Sequence, residues 1–191
     1  MNVSEDNARE SLSKVKEVMA QTHRSIASAY ANPLLILWGA LWITAFTAAH
    51  FYPDYDFHIF MAMVVVGGVG TAVICRVFCS KVPIQDTSSR TGRRIALFWI
   101  LLYVYVAIWL FLLVPFNGLQ CNAVISTAAM FAFVVIGLWF ESSFMVLLGL
   151  AVTVTTLAGF YLLTDYYHLW MALTGGGAML GTGLYIRLRW R

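Results

Sequence analysis

Six apolar runs, separated by short polar breaks, follow a polar opening segment of 31 residues. They fall at 33–52, 57–79, 95–116, 121–140, 143–163 and 165–186. Each is roughly 20 residues long, the length a helix rising about 1.5 Å per residue needs to cross a hydrocarbon core of about 30 Å. In lipid every backbone N–H and C=O has to be bonded internally, so each run is predicted to be a helix. The expected fold is all-α and polytopic: an arm over 1–31, then a membrane domain over 32–191 whose six transmembrane helices form three in-out-in hairpins. Asn32-Pro33 opens the first run, Tyr52-Pro53 closes it, and Pro115-Phe116-Asn117-Gly118 turns the chain after the third.

The arm has a different pattern. Ala8, Leu12, Val15, Met19, Thr22, Ile26 and Ala29 recur at spacings of three and four, one stripe of an amphipathic helix. Asn7 and Glu10 fit a capping box at its start, and Glu10 lies one turn before Lys14. Mixed charges flank the stripe, so a groove on another protein suits it at least as well as an anionic membrane surface. Leu12, Val15, Met19 and Ile26 are the expected partner-binding residues.

Composition narrows the class. Apolar residues make up 61% of the chain and charged ones only 11%, against about 25% charged in soluble domains. That balance excludes a soluble enzyme or a nucleic-acid binder. The basic residues occupy the arm (Arg9, Lys14, Lys16, Arg24), the connection after the second run (Arg76, Lys81, Arg90, Arg93, Arg94) and the end of the chain (Arg187, Arg189, Arg191). With six spans these segments share one side, and the bias toward Lys and Arg on the inner face places both termini in the cytoplasm, in a plasma or bacterial inner membrane. The net charge of +3 then records orientation and contact with the lipid bilayer, not with nucleic acid.

The second and sixth runs resemble each other. His58-Ile59-Phe60-Met61-Ala62-Met63 reads against His168-Leu169-Trp170-Met171-Ala172-Leu173, and after a one-residue shift Gly70-Thr71 and Arg76 read against Gly181-Thr182 and Arg187. A repeated hairpin entering from the same side is expected. Close helix approach in lipid depends on small residues, so Gly67, Gly70, Gly177 and Gly181 are the expected packing positions, the last two forming a G-x-x-x-G. The Gly175-Gly176-Gly177 run reads as packing surface, with a broken helix lining a site as the other reading.

Candidate chemistry is sparse. There is no H-E-x-x-H, no G-x-S-x-G and no Walker-type loop. The ionisable residues stand at span ends, whereas a transmembrane proton or ion path would place them centrally. His50, His58, Asp165 and His168, with Asp54 and Asp56 nearby, crowd the outer turns; imidazole and carboxylate suit zinc-like metals, so these four are the metal candidates, although their spacing matches no ligand motif. Glu141 stands at an inner turn and is expected to cap the fifth span. No cofactor is expected. The sequence therefore reads as a non-enzymatic membrane module, a regulator, sensor or complex subunit, contacting a partner through its arm and compatible with homo-oligomerisation. A small channel or transporter for a neutral or weakly polar solute is the alternative.

Overall fold

The computed structural model describes residues 13–14, 33–79, 86–112, 115 and 117–189, and every element among them is helical. Five uninterrupted helices are long and apolar enough to cross a membrane: α1 (Pro33–Phe51), α2 (Asp56–Cys79), α3 (Asp86–Leu112), α4 (Gly118–Trp139) and α5 (Ser143–Leu162). A sixth rod is assembled from α6 (Tyr167–Met171), a π-helical segment (Ala172–Gly176) and α7 (Gly177–Arg189). These lengths and compositions are those of a helical membrane protein. The arm stripe, with Leu12, Val15, Met19 and Ile26, lies outside the described residues.

One boundary moves substantially. The third helix starts at Asp86 rather than near 95, because the polar stretch ahead of the apolar window satisfies its backbone by continuing the helix. Elsewhere the polar punctuation acts as read: Asn117 caps α4 through a capping box, its Oδ1 accepting from the Gln120 N–H at 2.8 Å while Gln120 Oε1 accepts from the Asn117 N–H at 3.2 Å.

The core lies between α1, α4, α5 and the sixth rod. Trp42 and Phe46 of α1, Met130 of α4, Val152 of α5, and Tyr167, Met171 and Met179 interlock there. The other two helices lie outside. Helix α2 leans on α1, where Trp38 Nε1 donates to Thr71 Oγ1 at 3.1 Å and Gly67 and Gly70 leave room for the Trp38 ring and the Leu37 side chain. Helix α3 touches α4 through the ring pairs Trp99–Phe133 and Phe98–Trp139, and none of its apolar window is buried.

A close backbone approach joins α1 to the π segment and to the first turn of α7, where a Cβ on Gly39 would stand 2.5 Å from the Leu180 nitrogen. A Cβ on Gly39 would stand 3.0 Å from the Gly176 carbonyl oxygen, and one on Gly176 would stand 3.1 Å from that of Gly39. Gly177 and Gly181, the expected packing pair, do not make this contact. A Cβ on Gly181 meets nothing within 4 Å, and one on Gly177 meets only its own helix, at Ala172 O. The physical reason is the wider π turn: it rotates everything after it, so Gly175 and Gly176 face Trp42 and Ile43 of α1 while the G-x-x-x-G turns away.

The turns of the first and last hairpins have the same form, a short 3-10 turn feeding a helix: Pro53–Tyr55 before α2 and Thr164–Tyr166 before α6. Superposing them in sequence pairs Asp54-Tyr55 with Asp165-Tyr166 and carries without a shift to Gly70-Thr71 with Gly181-Thr182 and Arg76 with Arg187. His168 then stands opposite Phe57, not His58.

Candidate functional site

The first turns of α2, α4 and α6 converge at one end of the bundle. Asp56 is the first residue of α2, Asn122 lies in the second turn of α4, and His168 is the second residue of α6. Asn122 Nδ2 donates to Asp56 Oδ1 and Oδ2 at 3.2 and 3.1 Å and stands 3.3 Å from His168 Nε2. His168 Nε2 is in turn 3.6 Å from Asp56 Oδ1. Three hairpins are thus tied by three side chains.

Each tie has a local cause. Asp56 occupies the first turn of its own helix and also overhangs the start of α4: a Cβ on Gly118 would lie 2.7 Å from Asp56 Oδ2. The carboxylate therefore faces the positive ends of two helix dipoles, and only glycine at 118 leaves it that place. Asn122 is buried, and the Asp56 and His168 side chains are only 18% and 17% exposed, so the cluster is shielded but still reaches water. A hydrogen bond to a charged group contributes about 1.5–3 kcal/mol, more than a neutral one. His50 of α1 adds a second imidazole close enough to act electrostatically on His168, and its own ring stacks on Tyr166.

One turn deeper, Ser126 continues the Asn122 face of α4 and meets Tyr167. Both are buried, Tyr167 completely, and the Tyr167 hydroxyl has no hydrogen-bond partner of acceptable geometry. Phe46 and Phe160 pack edge-on against the Tyr167 ring.

The four metal candidates separate. His168 joins Asp56 and Asn122; His50 packs with Phe51 and Tyr166; His58 is exposed beside Tyr55 and Phe57; Asp165 is exposed in its turn. Among the described residues no group of three His, Cys, Asp or Glu side chains could hold a metal ion. Sequence reasoning missed Asn122, Ser126 and Gly118. The signal for the first two was there: two polar residues four apart within an apolar run, facing one way. No family model, no curated protein and no solved structure matches this chain at a significant level.

Proposed function

We propose that the protein is a non-enzymatic integral membrane module, a regulator, sensor or complex subunit, whose cytoplasmic N-terminal helix docks onto a partner protein. In this reading its six spans form three in-out-in hairpins in a plasma or bacterial inner membrane, and the Arg-bearing ends face the cytoplasm. The first and last hairpins descend from one repeated unit, supported by the shared turn form and the single register that pairs Gly70-Thr71 and Arg76 with Gly181-Thr182 and Arg187.

The observation that carries the reading is the filled centre of the bundle. Phe46, Met130, Val152, Thr156, Tyr167 and Met171 are each less than 2% exposed, so large side chains occupy the space a conduit would need. The amphipathic arm then becomes the part of the chain best suited to an external contact, its apolar stripe gaining most from a complementary groove.

Replacing Leu12, Val15 and Met19 together with Ser tests this. The variant should insert and keep the thermal stability of the bundle while losing the partner that copurifies with the wild type from native membrane in mild detergent. If the wild type recovers no partner, and reconstituted vesicles show a solute flux that survives deletion of residues 1–30, transport replaces the module reading.

A further inference from the structure

We propose that Asp56, Asn122 and His168 form a proton-operated switch: uptake of a proton by His168 exchanges its bond to α4 for a direct link between α2 and α6. The inference stands apart from the arm and its partner.

Hydrogen-bond inventory carries it. An amide NH2 has two hydrogens and no acceptor capacity. Asn122 Nδ2 lies within hydrogen-bond distance of both Asp56 oxygens and of His168 Nε2, so one of its hydrogens can serve the carboxylate and the other the ring nitrogen. Turning the amide over would set its oxygen against the carboxylate, so the orientation is fixed by Asp56. His168 Nε2 must therefore accept, with the ring proton on Nδ1. The same Nε2 stands 3.6 Å from Asp56 Oδ1, an acceptor for which a bare lone pair offers nothing. One ring nitrogen thus faces a donor and an acceptor at once, and its protonation state decides which of them it bonds.

When a proton adds to Nε2, the ring loses its acceptor. Nε2–H then donates to Asp56 as a charge-assisted bond. Asn122 loses one of its two partners and competes with a cation for the other, so α4 is loosened at its first turns while α2 and α6 are drawn together. The proton comes from water, which reaches the partly exposed ring and carboxylate. The groups facing His168 are Asp56 from α2, His50 from α1, Asn122 from α4 and Tyr167 on its own helix, and Cys121 of α4 lies near Asp56. A free histidine changes charge within the physiological pH range, and one whose ring is shielded from water does so at lower pH. Inward of the cluster stand Ser126 and the Tyr167 hydroxyl, and beyond them these spans hold no Asp, Glu, Lys, Arg or His until Arg76, Glu141 and Arg187 at their opposite ends. The polar chain is a dead end, which suits a local switch and not a proton path.

Hydrogen exchange on the full-length protein in nanodiscs, corrected for intrinsic rates, tests the switch. Between about pH 8 and about pH 5, protection of residues 118–122 should fall about fivefold to tenfold, the effect of one hydrogen bond, while the first turn of α2 keeps its protection. His168→Gln should abolish the response, and His50→Gln and His58→Gln should retain it. Should His168→Gln fail to fold, 15N resonances of the wild-type histidines decide: His168 should show a bare Nε2 and a protonated Nδ1 at the higher pH and both nitrogens protonated at the lower. A pH-independent wild type, a response that survives His168→Gln or disappears in His50→Gln, or a protonated Nε2 at the higher pH would each overturn the proposal.

Discussion

Glu141 holds a backbone conformation its side chain does not favour. It turns the chain from α4 into α5 with a φ of 53°, in the left-handed region, and the Ser142 N–H reaches back to the Gly137 carbonyl at 2.8 Å. Helices commonly end this way with glycine, which has no Cβ to clash. In sequence the residue reads as a cap for the helix that follows; it instead closes the helix that precedes it, which a carboxylate does not announce. Glu141→Gly should therefore raise stability by about 1 kcal/mol, seen as a higher midpoint in thermal unfolding in detergent. A lower midpoint would mean that the carboxylate holds a contact worth more than the strain. The polar site shows the same division between legible and hidden. His168 and Asp56 are visible in sequence as ionisable residues at span ends. Asn122 and Ser126 are legible only as two polar residues four apart in an apolar run; a neutral amide alters no charge pattern, so the role of Asn122 emerges only when α2, α4 and α6 converge.

The sixth rod shows where periodicity stops being informative. Five spans are legible because a run of apolar residues of membrane length has one stable backbone solution in lipid, the α-helix. The glycine-rich run in the sixth announces a close approach and leaves its direction open: a π turn changes the phase of every residue beyond it, and phase is what a helical-wheel reading assumes constant. Gly39 and Gly176 hold the close approach to one another's helices, while a Cβ on Gly181 would meet nothing within 4 Å. Gly39→Ala would set a methyl 2.5 Å from the Leu180 backbone nitrogen, an overpacking that should cost about 1–3 kcal/mol. Gly181→Ala meets open space and should be neutral or slightly stabilising, since alanine favours a helix over glycine by about 1 kcal/mol. Thermal unfolding of the two variants side by side separates these outcomes. Equal stability would place the α1 contact elsewhere, and a destabilised Gly181→Ala would mean that a second molecule covers that face.

At the scale of the whole molecule, helices α2 and α3 surround a four-element core, and nearly all of their apolar surface faces outward. That is a stable arrangement only where the surroundings are themselves apolar, since burial by lipid replaces burial by protein. The polar features are then divided between two ends. Asp54, Asp56, His58, Asp165 and His168 gather at the turns before α2 and α6, and the arginines at the far ends of α2 and α7 and the start of α3, with Glu141 in the turn between α4 and α5. On the proposed topology, with the basic residues toward the cytoplasm, the Asp56–Asn122–His168 cluster would face out of the cell and the arm into it. Orientation therefore decides which compartment's pH the cluster would meet. In a variant whose three native cysteines are replaced by alanine, a single cysteine at the exposed positions Asp54 or Asp165 should react with a membrane-impermeant reagent added outside intact cells, and one at Ser88 should react only after permeabilisation. The reverse pattern would turn the molecule over: the cluster would then read cytoplasmic pH, and the arm would meet its partner outside.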